Sequence, residues 1–512
     1  MKGSINARGE RINPLTPGTR LALIERFSEW KNSKEGTEQI FWLRDEAGTG
    51  KSALAAHMAK CWEEEGALAA RFFFDRNGGR NLRRLDRFCI TLAKEIADHH
   101  PLARAMYPDL LDKTPNLDDM PFPEAFRFLV ISIAEQLSKR LHRPLIFVFD
   151  ALDECHEDDI QVLVSSILDI PPGLSSCVRF LLTSRPTKEI TSILGGISGI
   201  AGNEVVLLDV KNGEAERDRD TSIYVRNALK DFSVMDQNAV IQCASGVFLW
   251  ATLACDTLLR AVTPRKVLDK FQNNAPDKTM QVLYEAALEA ALPPDPSPHD
   301  VNLLRTVLQG VVLTYYPVSI FCVQTFFPGY KEETVEGEEF VEYFVKKMGS
   351  IMKDGTPFLP IYILHPTFRE FIEDQKNGAR FYISPPDGHC SIAVASLAIL
   401  TESLTSNVLS LDDGKSPLPV GLPYEFETPA RLKMDIEAPL RYAVAFWATH
   451  ASLALGEEEK LQKLVNGFLL TKFLTWIEWS SAIREVSECT EGLRRLLCAI
   501  SMQKPSKTVS AI

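Results

Sequence analysis

A chain of 512 residues, 45% of them hydrophobic, with a formal net charge of −12, exceeds what one hydrophobic core serves and supplies material for about three or four modules. The acidic balance argues against nonspecific binding to nucleic acid or to an anionic membrane, both of which select basic faces. Ten cysteines stand singly, among them Cys61, Cys155, Cys243 and Cys498, with no C-x-x-C pair; that excludes the usual zinc signature and suits a reducing compartment. Residues Met1 to Asn6 lack the apolar core of a secretory signal, so a cytoplasmic location is expected.

Residues 1–36 form a short lead-in containing Pro14 and Pro17, and a nucleotide-binding region is expected over 37–210. Its first strand is the apolar run Gln39 to Leu43, and a helix-forming run begins at Ala53. Between them lies Asp45-Glu-Ala-Gly-Thr-Gly-Lys-Ser52. Consecutive backbone N–H groups at a helix N-terminus make a concave anion site, and a lysine there adds a point charge for the β- and γ-phosphates. Ala47, Gly48, Thr49 and Gly50 are therefore expected to cradle phosphate, Lys51 to supply the ammonium and Ser52 a hydroxyl for Mg²⁺. The match to G-x-x-x-x-G-K-[ST] departs at its first position, which holds Asp45. A carboxylate there either adds negative charge beside a polyphosphate or turns outward and caps the loop.

The segment Arg76 to Arg87, rich in arginine and glycine, reads as a solvated loop and helix face. Leu145 to Phe149 has the continuous apolar character of a strand buried on both faces and delivers Asp150 to its end. A carboxylate at that point binds magnesium, usually through water; Asp153 and Glu154 follow within a turn as candidates to position or deprotonate an attacking water. The third strand, Val178 to Leu182, ends in Thr-Ser-Arg-Pro, where Arg185 either senses a γ-phosphate or pairs with a neighbouring acid such as Glu189. In open α/β sheets the ligand lies beyond the carboxyl ends of the strands, so Lys51, Asp150 and Arg185 are expected to converge.

The charged run Lys211 to Asp220 marks a break before a helical region, 211–292, with helices expected over Thr221 to Asp231 and Ala239 to Leu259. Pro293 to Pro298 reads as a linker. Thr306 to Tyr330 is the longest uncharged stretch, but Gln309, Pro317, Gln324 and Pro328 interrupt it, which favours a buried helix-turn-helix over a membrane span. Asp354-Gly355, between Tyr343 to Met352 and Phe358 to Leu364, signals a hairpin, the wing of a winged-helix-like module over 299–385. Residues 386–512 are helical in pattern, broken by a Pro- and Gly-rich loop around Asp412 to Pro423; Phe446, Trp447, Phe473, Trp476 and Trp479 stand at helical spacing and read as core. No ankyrin, WD or tetratricopeptide period follows residue 390, and no effector domain is recognisable before the lead-in. The expectation is an isolated switch core, a truncated gene model or a member that works through a partner.

Phe41-Trp-Leu, Ala47-Gly-Thr-Gly-Lys-Ser52, Phe147-Val-Phe-Asp-Ala-Leu-Asp-Glu-Cys155 and Leu182-Thr-Ser-Arg-Pro186 together resemble the NACHT domain, notably that of fungal NOD-like receptor relatives. Pro17-Gly-Thr-Arg20 with Trp30, Phe72 to Phe74, Ala244 to Ala251, Leu364 to Phe368 and Arg441 to Trp447 extend the resemblance over most of the chain. It implies an α/β P-loop NTPase sheet followed by helical domains and a winged-helix-like module. It also implies a signalling NTPase of the STAND class that binds Mg-ATP or Mg-GTP and turns it over slowly. Nucleotide state would toggle closed and oligomerising open forms, with self-association or another signalling protein as partner. The family would assign Lys51 and Ser52 to phosphate and magnesium, Asp150 to magnesium, Asp153 and Glu154 to water activation, and Arg185 to γ-phosphate sensing. His365 falls where the winged-helix-like module approaches the nucleotide, although a His-Pro-aromatic run is also a common packed hairpin end. Two other classes remain open: a noncatalytic nucleotide-binding scaffold, motivated by Asp45, and a nucleic-acid-handling ATPase, which the acidic balance disfavours.

Overall fold

The computed structural model describes residues 12, 14–32, 39–75, 84–85, 87–111, 120–170, 177–195, 205–209, 214–261, 263–273, 279–293, 295–327, 340–354, 358–406, 437–454, 459–483 and 485–502. Two compact units divide the chain, 1–283 and 284–512. Most of the arginine-rich segment after Arg76 and the loop around Asp412 to Pro423 lie outside the described residues.

The first unit is built on a five-stranded sheet: β1 (Ile40–Arg44), β2 (Leu68–Phe73), β3 (Leu145–Asp150), β4 (Val178–Ser184) and β5 (Val205–Asp209). The strands are parallel and ordered β2-β3-β4-β1-β5. Every residue of β3 and β4 is buried, which is why both read as unbroken apolar runs rather than alternating ones. Side chains nevertheless divide with the two-residue period of a strand. Trp42, Phe147, Phe149, Phe180 and Leu182 enter one core, while Phe41, Leu43, Ile146, Val148 and Leu181 enter the core on the opposite face.

That second core fixes helix Lys51–Glu64 through Leu54, Ala55, Met58, Ala59 and Trp62. The lead-in contributes as well. Helix Leu21–Asn32 sends Phe27 and Trp30 against Phe41, at ring-centroid distances of 4.7 and 5.5 Å, and both also meet Trp62 at 6.2 Å. Each such buried aromatic contributes about 2–3 kcal/mol of hydrophobic stabilisation, so the lead-in braces the helix that carries Lys51.

Two expected elements differ in extent. The charged run before Asp220 is not simply a break: helix Glu214–Ala228 begins inside it, because the charges supply surface and ion-pair partners while Val225 reaches the core. The single helix expected over Ala239 to Leu259 is two, Val234–Ala244 and Phe248–Arg260, parted where Ser245 and Gly246 turn left-handed at φ 44° and 77°.

In the second unit, helices Pro298–Val312, Ile320–Phe326 and Phe340–Lys347 precede a short antiparallel hairpin, β6 (Met352–Asp354) and β7 (Ile361–Ile363). Ser297 and Asp300 close a capping box at the first of these helices, with Pro298 at its opening position. The hairpin pairs Met352–Asp354 with Ile361–Ile363, residues 355–357 of the expected turn lying outside the described residues, and much of the Tyr343 to Met352 arm is helical. Phe344, Val345 and Met348 of that stretch are buried, and such spacing places them on one helical face. Helices Pro385–Ser403 and Ala438–Ala454 pack in the distal core with Trp447, Trp476 and Trp479, all buried. The indole N–H groups of Trp476 and Trp479 donate to the carbonyls of Val444 and Thr405 at 2.8 and 2.9 Å, as buried tryptophans require. These aromatics are core, as their spacing indicated.

Candidate functional site

Asp45 N–H donates to the Ser184 carbonyl at 3.3 Å, carrying the β1–β4 pairing one residue past Arg44. The chain then turns through Gly48 at φ 77° and Gly50 at φ 87°, conformations that glycine adopts without a Cβ penalty. Gly50 is the N-cap of helix Lys51–Glu64 and offers no side chain to its first amides; the opening N–H groups of a helix have no intrahelical acceptor. A carbon added at Gly50 would meet nothing nearer than Arg20 Nη2 at 4.0 Å. The result is an open turn of uncapped amides at the carboxyl end of a parallel sheet.

Lys51 folds across this turn. Its ammonium donates to the carbonyls of Asp45 and Glu46, each at 2.7 Å, and the Thr49 hydroxyl donates to Glu46 at 3.1 Å. Burial lowers the lysine pKa; Asp153, Asp45 and Asp150 pull it back up in that order, and Arg185 adds to the lowering. The sheet order places β3, β4 and β1 side by side, so Asp150, Arg185 and the loop that leads to Lys51 follow adjacent strand ends.

Asp150 is fully buried, and its Oδ1 accepts from the Thr183 hydroxyl at 2.5 Å. Thr183 Oγ1 in turn accepts the Ala151 N–H at 3.0 Å, where the chain turns left-handed at φ 58°. Asp153 holds Arg185 twice: Oδ1 accepts the arginine N–H at 2.9 Å, and Oδ2 lies 3.2 Å from Nε. The alternative pairing of Arg185 with Glu189 is thus replaced by one with Asp153, which the short turn Leu152–Glu154 directs toward β4. Glu154 is buried at the end of that turn. Asp45 is also buried rather than turned outward; it accepts the Glu46 N–H at 2.8 Å and lies 3.6 Å from Arg217 Nη1.

Five contributors had no site role assigned from the sequence because they come from distant segments. Arg20, held at φ 57°, is buried and hydrogen-bonds through Nη2 to the Thr49 carbonyl. Its backbone N–H donates to Asp220 at 3.0 Å, its Nε lies 3.7 Å from the same carboxylate, and its guanidinium lies 5.6 Å from the Phe248 ring. Burial lowers the Arg20 pKa, opposed chiefly by Asp220, and raises that of Asp220. Leu249 donates its N–H to the Gly48 carbonyl at 2.9 Å and fills the space where a Gly48 side chain would stand. Arg217 completes the set. Only a non-glycine residue at positive φ hints at such roles, and that is invisible in sequence.

His365 belongs to the 284–512 unit, following β7 at the N-cap of helix Pro366–Glu373. Burial pushes its pKa down to about 4, so its ring is neutral near pH 7.

Residues 18–185 match the family model described as Nephrocystin 3, N-terminal. Over 523 aligned residues, 92% of this chain and 35% of the relative, the chain is 20% identical to the vegetative incompatibility protein HET-E-1 of Podospora anserina. The chain is similar to the NACHT-like P-loop NTPases of fungal NOD-like receptors. It spans about a third of that relative's length. Among solved structures, the chain is 14% identical to a Walker-type ATPase of Pyrococcus abyssi, at a TM-score of 0.32, covering 67% of this chain and 93% of that one. It is likewise 14% identical to Cdc6p of Pyrobaculum aerophilum, at a TM-score of 0.26, covering 68% and 89%.

The donor set suits a magnesium nucleotide. Mg²⁺ in phosphate sites takes one or two protein oxygens and completes its shell with phosphate and water. Asp150 at the end of β3 and Ser52 in the first turn of the loop helix offer such oxygens. No helix among the described residues is long and apolar enough to cross a membrane.

Proposed function

We propose that this chain binds Mg-ATP or Mg-GTP at the 45–52 loop and works as a nucleotide-dependent signalling switch with slow hydrolysis. The observation that carries the proposal is that Asp150, Arg185 and the loop bearing Lys51 follow the carboxyl ends of adjacent strands β3, β4 and β1, with Asp153 paired to Arg185. In this reading the amides of Ala47 to Lys51 and the Lys51 ammonium hold phosphate, while Ser52 and Asp150 hold magnesium, which neutralises phosphate charge when bound. Asp153, with both oxygens on Arg185, orients that arginine toward a γ-phosphate and leaves Glu154 to position water. His365 would report on the nucleotide from the winged-helix-like module, 299–385, when the modules close. The remaining modules are 1–36, 37–210, 211–292 and 386–512.

HET-E-1 carries vegetative incompatibility in its name, and a comparable cytoplasmic signalling role, with self-association or another signalling protein as output, is the one proposed. A switch of this kind requires that nucleotide bind closed and open forms unequally, since equal binding shifts no population. The commitment of Asp153 to Arg185 also favours a second reading, a scaffold that binds nucleotide without turning it over.

Native mass spectrometry of the purified full chain tests the proposal by reporting retained nucleotide and stoichiometry together. Wild type should carry a nucleotide, and Lys51→Ala should lose it, having lost the ammonium that spans the loop. Equal retention by the two proteins would refute the site. Phosphate release at background while nucleotide remains bound would select the scaffold.

A further inference from the structure

A carboxylate stands where glycine opens the P-loop pattern, and its counter-charge comes from the helical segment that follows the sheet. The Asp45 side chain is 4% exposed and that of Arg217 19%, with Oδ1 to Nη1 at 3.6 Å. A buried carboxylate beside a phosphate cradle repels an incoming triphosphate unless a cation offsets it. Arg217 is held in place to do so. Its helix, Glu214–Ala228, is tied to the lead-in by the Arg20 N–H to Asp220 bond at 3.0 Å. The Ser245–Gly246 turn after helix Val234–Ala244 comes so close that a carbon added at Gly246, φ 77°, would lie 3.2 Å from Arg217 Cβ and 2.8 Å from Asp218 Oδ1.

We propose that Arg217 is the charge compensator of the phosphate site, so that triphosphate affinity follows the sum of the charges at positions 45 and 217. This rests on the nucleotide-binding reading above and adds a linkage to it. When the Glu214–Ala228 helix is seated, Asp45 is paired with Arg217 and triphosphate is favoured; when the helix withdraws, Asp45 loses that ion-pair partner and its repulsion of the triphosphate grows. By reciprocity, bound triphosphate holds the helix in place.

The test measures binding of ATP, ADP, GTP and GDP to the full chain by titration calorimetry with excess magnesium. Arg217→Gln should weaken triphosphate binding about tenfold and diphosphate binding less, because the penalty scales with ligand charge. Asp45→Asn, which leaves the cation alone at the loop, should tighten triphosphate binding severalfold. The double variant should return near wild type, and Arg217→Lys, which keeps the charge, should stay within about threefold. A merely structural pair would weaken binding in both single variants and penalise tri- and diphosphate alike; that result overturns the inference. Should Arg217→Gln fail to fold, Asp45→Asn and Arg217→Lys decide alone: tightening by the first and retention by the second support the compensator, and weakening by the first overturns it. Wild-type protein that binds none of the four nucleotides would sink the nucleotide-binding reading itself and this inference with it, an outcome distinct from binding without opposed effects.

Discussion

Replacing Gly48 by alanine concentrates the physics of the 45–52 loop in one carbon atom. At φ 77° the new residue enters left-handed backbone, costing about 1–2 kcal/mol. Its Cβ would also fall 2.4 Å from Leu249 Cβ, an atom fixed to the backbone of helix Phe248–Arg260 rather than the far end of a flexible side chain. Either the loop or the helix must move by about an ångström, and overpacking of this kind costs about 1–3 kcal/mol. The sum, about 2–5 kcal/mol, should lower the first thermal transition on the order of 10 °C for a unit of this size. It should also break the Leu249 N–H to Gly48 carbonyl bond, now 2.9 Å, and with it retained nucleotide. Differential scanning fluorimetry and native mass spectrometry read the two effects. Adding Leu249→Ala should not rescue, since alanine keeps the offending Cβ. A Gly48→Ala protein with unchanged midpoint and unchanged nucleotide would refute the packing of this loop against the helical segment.

Glu154→Gln should keep nucleotide bound while slowing phosphate release in a single-turnover assay; unchanged release would remove Glu154 from the chemistry and return attention to Asp153. In the second unit, His389 Nδ1 lies 2.8 Å from His450 Nδ1, His450 Nε2 lies 2.8 Å from the Tyr442 hydroxyl, and that hydroxyl accepts the Tyr315 N–H at 3.1 Å. Burial, assisted by Arg369, pushes the His389 pKa from 6.5 down to about 4, and burial lowers that of His450 as well. The unfolded chain therefore takes up protons that the folded one refuses, so stability is complete above about pH 6.5 and is lost as pH falls toward 4, on the order of 3 kcal/mol from His389 alone. Urea denaturation of this unit at pH 7.5 and pH 5 should show the loss in wild type and a flatter dependence in His389→Gln; identical pH dependence in the two proteins would contradict the buried neutral pair.

The sequence by itself determined the parallel sheet and the positions at which its strands end. Apolar runs buried on both faces, such as Leu145 to Phe149, leave a strand no solvent-facing alternative, and Asp150 and Arg185 lie too near those runs to be carried elsewhere. Lys51 followed from local chemistry too, because Gly50 and the helix-forming run fix its backbone within one turn. Only tertiary structure decided what neutralises Asp45, what holds Arg185 and what closes over Gly48. Arg217, Asp153 and Leu249 act there through side-chain direction and through helices brought in from elsewhere along the chain, whereas sequence patterning records periodicity within one element and nothing about which charges meet across two. A charged run such as Lys211 to Asp220 reads the same whether its ions face water or a buried carboxylate; the folded environment, where an unpaired ion is costly, sets the difference.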